Sequence, residues 1–136
     1  IDYVVNELSL KNIKGVCCRI EEAARDTEYR ESFDMVFSRA MSDVYMAGEL
    51  CSPYLKPEGC LYLYVSDKQK ELPSPVIEHL EKLSLVIIHE GKTVTPWKIS
   101  TSSGLLLQKT SHVADIYPRR ISAIKRGVAE VEKNKQ

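Results

Sequence analysis

The hydrophobic residues of this chain fall into short runs separated by polar stretches, and five runs have the compact or alternating pattern of β-strands. The clearest extends from Phe33 to Phe37 and is followed by polar Ser38 and Arg39. A run this apolar is typical of a strand that is covered on both faces of its sheet. The predicted strands span residues 13–18, 33–38, 60–65, 85–89 and 105–109.

The segments between these runs have the spacing of amphipathic helices. The clearest helix has apolar positions from Val44 to Leu55, can be capped by Ser42 or Asp43, and is kinked or ended by Pro53. A turn is predicted after it, over 56–59, where proline and glycine occur together. Further helices are predicted over 2–8, 21–25 and 75–82.

Alternating strands and helices indicate an α/β fold, because parallel neighbouring strands need a crossover connection, which is usually a helix. We therefore expect a mostly parallel sheet in which strands 13–18, 33–38 and 60–65 run parallel. Strands 85–89 and 105–109 have no helix between them. This predicts that the sheet ends in an antiparallel strand.

The charge of the chain is balanced in total but uneven along its length. The 136 residues carry a formal net charge of zero, but residues 109–136 contain seven Lys and Arg against three Asp and Glu. This region therefore has a charge of +4, which leaves −4 for residues 1–108. An acidic body with a basic end indicates a polyanionic partner. A solvated terminal helix gives the same pattern, and charge alone leaves both interpretations open.

Membrane and metal functions find no support in the sequence. No apolar run approaches membrane-spanning length, and we expect no signal peptide at Ile1. The three histidines are too scattered for a metal site, so no metal is predicted. The four cysteines lack C-x-x-C spacing, and we interpret them as reduced core residues of an intracellular protein. They are Cys17, Cys18, Cys51 and Cys60.

Three motifs, taken together, are more specific than any single feature. Arg19–Glu22 reads R-I-E-E, residues 33–40 read F-D-M-V-F-S-R-A, and Tyr117–Arg120 reads Y-P-R-R. In this order they resemble the glucose-inhibited division protein B family of small-subunit ribosomal RNA methyltransferases. That family has an R-x-E-E pair, then F-D-x-V-x-S-R-A, and a tail with Y-P-R-R or Y-P-R-K.

The resemblance implies a Rossmann-like S-adenosylmethionine-dependent methyltransferase fold that methylates guanine N7 in small-subunit rRNA. Residues 1–110 would be the C-terminal part of the catalytic domain, and residues 111–136 a basic extension. The expected location is the cytoplasm, or an organelle in a eukaryote. No glycine-rich loop, which normally lets the backbone approach such a cofactor, occurs in the first sixty residues. We therefore expect a partial enzyme, with a non-catalytic RNA- or ribosome-binding remnant as the alternative.

The resemblance also assigns cofactor-binding residues. It places Ile20 against the adenine ring and Glu21 at the amino edge of the base. Without it, the acidic pair Glu21 and Glu22 would only favour the dipole of a helix's first turn. The family motif places Arg39 in the cofactor pocket. Its guanidinium could hold the methionyl carboxylate, a structural carboxylate or an RNA phosphate.

The basic end supplies the predicted RNA contacts. Paired arginines after an extended Tyr117-Pro118 step suit phosphate groups, which carry no sequence information. The alternative is a frayed, charged terminus. No nucleophile–base arrangement is visible, and methyl transfer to N7 needs none, because N7 carries a lone pair and no proton. The predicted RNA-contacting residues are Lys109, Arg119, Arg120, Lys125 and Arg126.

The chain departs from the family pattern in three places. Ser66-Asp67, with Lys68 nearby, replaces the lysine-glycine pair usual after the third strand. Residues 102–104 read S-S-G where an arginine usually begins the last strand. Ser122 and Ile124 replace the small residue and the proline of the tail motif. These changes bear more on the RNA site than on the fold.

Overall fold

The computed structural model describes residues 1–41, 43–66, 72–94 and 101–134. Within these ranges, helices pack against a four-stranded sheet. The strands are β1 (Phe33–Ser38), β2 (Leu55–Val65), β3 (Leu85–Val94) and β4 (Thr101–Lys109). The helices are α1 (Asp2–Glu7), α2 (Ile20–Ala23), α3 (Val44–Cys51), α4 (Ser74–Lys82) and α5 (Ile121–Lys133), with a 3₁₀ turn at Ser52–Tyr54.

The strand order is β1-β2-β4-β3. β1 and β2 pair in parallel, whereas β4 pairs antiparallel with both β2 and β3. The final strand is thus antiparallel to its neighbours, as expected. The prediction of a mostly parallel sheet is wrong, because β4 lies between β2 and β3 and makes two of the three pairings antiparallel.

The predicted strand over 13–18 is also wrong. These residues form no strand in the structure, and Ile13, Val16, Cys17 and Cys18 are exposed. A strand exists only through hydrogen bonds to a neighbour. Residues 13–18 pair with none of the four described strands, although β1 at the edge of the sheet has one unpaired side.

The predicted boundaries around α3 are largely confirmed. The carboxylate of Asp43 accepts a hydrogen bond from the Met46 N–H at 2.9 Å, which satisfies one of the free donors at the helix start. Ser42, the other candidate cap, lies outside the described residues. The helix ends at Cys51, before Pro53. The predicted turn over 56–59 is instead part of β2, where the register against β1 shifts.

The core lies on one face of the sheet. α3 and α4 cover this face, and α5 packs against α3. The opposite face of the described sheet exposes large apolar side chains, among them Phe37 at 62% and Met35 at 44%. The core residues contributed by β2 and β4 are Leu55, Leu61, Leu63, Leu105 and Leu107.

α5 is a helix that the sequence analysis did not predict. Ile124 and Val131 on α5 are buried, and Ile121 and Val128 pack against the smaller core cluster around Ile124. Their spacing is helical and could have revealed the element. The Ile124 N–H donates to the Arg120 carbonyl at 3.2 Å. Proline, usual at this position in the resembled family, could not donate that bond.

The four cysteines are all free, but they are not all core residues. Cys51 is buried, which raises the pKa of its thiol to about 11. Cys60 is half-buried. Cys17 and Cys18 are exposed, so the prediction that they lie in the core is wrong; it depended on the strand over 13–18.

A separate search for membrane-spanning elements covered the described parts of the chain. None of the helices there combines the length and the apolar character that crossing a bilayer requires.

Candidate functional site

The predicted cofactor residues Ile20 and Glu21 begin the short helix α2. The Tyr54 hydroxyl fixes this turn by donating to the Ile20 carbonyl at 2.5 Å. The Ile20 side chain is half-buried and packs against the core cluster formed by Met46, Leu50 and Ile124. Ile20 therefore contributes to packing between α2, α3 and α5.

Glu21 is held in a defined orientation by its neighbour. The Arg19 guanidinium donates to its carboxylate at 2.9 Å and lies 3.8 Å from Glu22. Hydrogen bonding to its own backbone N–H, and then to Arg19, lowers the pKa of Glu21. Glu21 is thus an ionised acceptor whose side chain is 18% exposed at the rim of a cleft.

Arg39 lies elsewhere. It follows directly on β1, is exposed, and precedes Ala40, which has a φ of 59°. Within the described residues, no hydrogen bond or ion pair joins Arg39 to Ile20 or Glu21. Arg39 is not among the residues that line the cleft beside Glu21.

The segment before α5 is fastened to the body of the protein by two arginines. Arg25 donates to the Pro118 carbonyl at 2.7 Å. Arg30 donates to the Tyr117 carbonyl at 3.0 Å and to the Val113 carbonyl at 3.3 Å. The basic end is therefore a docked segment followed by a helix.

Arg119 turns inward onto Glu49, a residue that the sequence analysis missed. Its Nε donates to Glu49 Oε1 at 2.9 Å, and its Nη2 donates to Glu49 Oε2 at 2.6 Å and to the Tyr45 hydroxyl at 3.1 Å. The backbone N–H of Arg119 adds a further bond to Oε1 at 2.8 Å. Glu49 is the one charged residue in the apolar sequence of α3, and a buried charge needs a partner. The sequence of α3 could therefore have indicated that Glu49 pairs with a basic residue.

The surroundings of Glu49 keep it ionised. Burial would raise the pKa of Glu49, but the nearby His79 ring and the hydrogen bonds from Arg119 outweigh burial and hold the pKa at about 2. His79 Nε2 lies 3.1 Å from Glu49 Oε2, within ion-pair range but without hydrogen-bond geometry. The His79 ring stacks on Tyr45 with 3.5 Å between ring centres.

Lys109 is fully buried at the end of β4. Its ammonium donates to Glu31 at 2.6 Å and to the carbonyls of Ser52 and Leu55 at 3.2 and 2.8 Å. Burial lowers the pKa of Lys109, and Glu31 opposes this effect. RNA cannot reach this ammonium in the structure, so we remove Lys109 from the predicted RNA-contacting residues.

Arg120, Lys125 and Arg126 are exposed, in contrast to Lys109. Arg120 directly precedes α5, and the other two lie on the helix. Among the described residues, none of the three forms an ion pair. Of the departures from the family pattern, Asp67 and Lys68 lie outside the described residues.

An open cleft of about 360 Å³ lies between α2 and the start of α5. This volume is at the lower end of the range for ligand sites, roughly 300–1,000 Å³. The cleft brings together Glu21, predicted for the cofactor, and Arg119 and Arg120, predicted for RNA. The lining residues are Arg19, Glu21, Glu22, Arg25, Pro118, Arg119, Arg120, Ile121 and Ser122.

A search for metal sites found no group of three or more potential ligands in the described part of the chain.

Comparison with known proteins identifies similar sequences. The family model described as GidB, rRNA small subunit methyltransferase G, matches residues 1–92. The ribosomal RNA small subunit methyltransferase G of Fervidobacterium nodosum is 32% identical over 123 residues, which cover 89% of this chain and 56% of that protein. The protein with the same name from Clostridium kluyveri is 29% identical over 128 residues, which cover 91% of this chain and 52% of that protein. The chain thus spans about half the length of these curated relatives.

Solved structures support the fold alone. A putative sarcosine dimethylglycine methyltransferase from Galdieria sulphuraria matches with a TM-score of 0.54 at 13% identity, over 82% of this chain and 65% of that one. A structure described under the conversion of a disulfide bond into a thioacetal group in echinomycin biosynthesis matches with a TM-score of 0.51 at 13% identity, over 96% and 66%. The sheet and its helices therefore resemble those of methyltransferases.

Proposed function

We propose that this chain, which belongs to the GidB family of rRNA small subunit methyltransferases, is part of an enzyme that methylates guanine N7 in small-subunit rRNA. The observation that carries the proposal is the family match over residues 1–92, which include Ile20, Glu21 and Arg39. In this proposal residues 1–110 belong to the catalytic domain and residues 111–136 are its basic extension. The methyl donor is S-adenosylmethionine, and the expected location is the cytoplasm.

The proposed reaction needs no acid–base catalysis by the protein. The lone pair of guanine N7 attacks the methyl carbon, the carbon–sulfur bond breaks, and S-adenosylhomocysteine leaves. N7 carries no proton, so no general base is required. The protein's task is to align N7, the methyl group and sulfur, since orientation supplies much of the rate in such a transfer.

In this proposal, Glu21 accepts hydrogen bonds from the adenine amino group, and Ile20 contributes an apolar contact. The lowered pKa of Glu21 supports an acceptor role, because an ionised carboxylate only accepts hydrogen bonds. Arg39 is exposed beyond the carboxyl end of β1, the edge where α/β sheets bind ligands. Its guanidinium suits the methionyl carboxylate.

The test is calorimetric titration of S-adenosylhomocysteine into this chain and into the complete protein that contains its sequence. We expect weak or no binding by the chain alone, because no glycine-rich loop occurs in its sequence. In the complete protein, Glu21→Ala or Arg39→Ala should each weaken binding about tenfold or more, since a lost charged hydrogen bond costs roughly 1.5–3 kcal/mol.

The matched control is Glu22→Ala, which removes the neighbouring carboxylate, 72% exposed, and should leave the affinity unchanged. Wild-type affinity in both the Glu21 and Arg39 variants would refute the cofactor assignment. The activity itself is measured as N7-methylguanosine formed in small-subunit rRNA by the complete protein, and its absence would refute the proposed reaction.

The second candidate is a non-catalytic RNA- or ribosome-binding remnant of the same fold. It is supported by the exposed basic residues Arg120, Lys125 and Arg126, which could contact RNA without a cofactor. Binding of rRNA by the natural protein without binding of S-adenosylhomocysteine would support this candidate over the enzyme.

A further inference from the structure

We propose that the cleft between α2 and the start of α5 binds one backbone phosphate of a single-stranded RNA segment, with Arg25 and Arg120 as the contacting groups. The inference deepens the proposed function, on which it rests, by locating the RNA contact. It also changes the role of Arg119, whose side chain anchors the cleft wall instead of contacting RNA.

The Arg119 side chain is held in the cleft wall, because the donors on its Nε and Nη2 are bound to Glu49 and Tyr45. Its Nε and Nη2 are bound to the Glu49 carboxylate at 2.9 and 2.6 Å, and Nη2 also reaches the Tyr45 hydroxyl. Glu49 is fully buried, so releasing Arg119 to a phosphate would leave an unpaired charge in the interior. Arg119 therefore holds the backbone next to Arg120 in position.

Arg120 and Arg25 retain free donors that face the cleft. Arg120 is exposed and lines the cleft, and among the described residues its guanidinium has no hydrogen-bond partner. Arg25 uses Nη2 to hold the Pro118 carbonyl, and a guanidinium carries five N–H donors in a fixed fork. One Arg25 side chain can therefore hold the cleft wall and also donate to a phosphate oxygen.

The cleft wall is ordered before any ligand arrives. Three contacts fix the segment that precedes Arg120: Arg25 to the Pro118 carbonyl, Arg30 to the Tyr117 carbonyl, and the Arg119 N–H to Glu49. A ligand that binds to pre-ordered groups loses less affinity to the ordering of the protein. Arg120 follows this fixed segment directly and lines the cleft. Lys125 and Arg126 are exposed on α5 and do not line the cleft.

The charge of the cleft favours a phosphodiester over a terminal phosphate. Four arginines and two glutamates line the cleft, and Glu49 lies behind Arg119. The net charge of these seven side chains is +1. An internal phosphate of RNA carries one negative charge, whereas a phosphate monoester carries about 1.5 to 2 negative charges at neutral pH. The net charge of the cleft therefore matches a phosphate of the RNA backbone.

The experiment measures binding of a fluorescein-labelled decauridine RNA to the full chain at several salt concentrations. Decauridine contains no guanine, so it reports backbone contacts separately from recognition of a target base. We expect Arg120→Ala to weaken binding about tenfold at low salt, as for a lost charged hydrogen bond. The logarithmic salt slope should fall by about 0.7, the value for one phosphate contact on a single strand.

The matched control is Lys82→Ala, which removes an exposed cation on α4 that lies outside the cleft and outside the predicted RNA-contacting residues, and it should weaken binding less than twofold. Thermal unfolding checks that both variants fold, and both should unfold at the wild-type temperature because the side chains are exposed. Arg25→Gln should also weaken binding, since glutamine keeps a donor for the Pro118 carbonyl but loses the charge. Equal losses in Arg120→Ala and Lys82→Ala, or an unchanged salt slope in Arg120→Ala, would overturn the proposal.

A competition arm distinguishes the two sources of phosphate. Inorganic phosphate and chloride, compared at equal ionic strength, should displace decauridine to the same extent if the cleft takes a backbone phosphodiester. Specific displacement by inorganic phosphate would overturn the assignment to RNA. Methylation by the complete protein is scored separately. If Arg120→Ala leaves the affinity for decauridine unchanged and the complete protein methylates rRNA, only this inference is refuted. If Arg120→Ala weakens the binding of decauridine but the complete protein does not methylate rRNA, only the proposed function is refuted.

Discussion

Lys109 and Arg119 are both basic residues that turn inward onto a carboxylate, but their partners differ in access to water. Glu49, the partner of Arg119, is fully buried, whereas the side chain of Glu31, the partner of Lys109, is 20% exposed. Glu31 also accepts from His112 Nδ1 at 2.5 Å and from the Val113 N–H at 3.2 Å. Glu31 therefore keeps partners and a path to water if Lys109 is lost. Glu49 would keep the backbone N–H of residue 119 and the nearby His79 ring, but it has no path to water.

The two ion pairs also differ in what they position. Lys109 ties the end of β4 to the carbonyls of Ser52 and Leu55, and none of these residues lines the cleft. Arg119 ties the start of α5 to α3 and forms part of the cleft wall. The comparison teaches that a basic residue near a chain end is not by itself a nucleic-acid contact. Its partner decides whether it serves the interior or a ligand.

The largest expected effect is that of Arg119→Met. Removing one partner of a buried ion pair leaves the other charge uncompensated, which costs about 3–5 kcal/mol. Urea unfolding at pH 7 should show this loss. The double variant Arg119→Met/Glu49→Met should recover much of it, because apolar replacement of both partners is often nearly neutral. If Arg119→Met lowers the free energy of unfolding by less than Lys109→Met does, the comparison of the two ion pairs is contradicted.

Lys109→Met should have a smaller effect, about 1–3 kcal/mol, the cost of leaving buried acceptors unsatisfied. Two carbonyls lose their donor, but methionine fills the space and Glu31 can take up water. RNA affinity should be unchanged in this variant, since the ammonium is buried. Reduced binding of decauridine by a folded Lys109→Met protein would restore Lys109 to the RNA-contacting residues.

Acid should weaken both ion pairs together, and this loss of stability is gradual and absent near neutral pH. The pKa values of Glu31 and Glu49 are each held at about 2, below the ordinary 4.5 of a glutamate. For Glu31, burial opposes this shift and the bonds from Lys109 and His112 outweigh it. A depressed pKa contributes stability that is complete above pH 4.5 and is lost as pH falls from 4.5 towards 2.

Urea midpoints measured from pH 7 to pH 2 would reveal this loss. The wild type should lose stability mainly below pH 4.5, and Glu49→Gln should show a flatter decline over the same range. Parallel pH profiles for the two proteins would contradict the lowered pKa of Glu49.

The residues predicted for the cofactor and for RNA are not separate in the structure. Had the basic end lain away from Glu21, changing Arg119 and Arg120 would leave cofactor affinity untouched. Both arginines instead line the same cleft as Glu21. Substitution of Arg119 therefore alters a wall that the proposed cofactor residue shares, and its effects on RNA and cofactor are expected to be coupled.

The sequence by itself determined the local elements and the family. Apolar runs located the strands at 33–38, 60–65, 85–89 and 105–109, because side-chain periodicity is a local property. The motifs around Glu21 and Arg39 pointed to the family that the comparisons identify. The helical spacing of α5 was equally local and could have been read from Ile121, Ile124, Val128 and Val131.

Only the tertiary structure decided strand pairing, burial and the partners of charged residues. Segment 13–18 has a strand-like sequence, but it pairs with none of the described strands, and a strand exists only through such pairing. Lys109 finds its carboxylate 78 residues away and Arg119 finds its own 70 residues away. Such partners are set by how helices and strands pack together, so no local pattern could show that these two residues turn inward while Arg120 stays exposed.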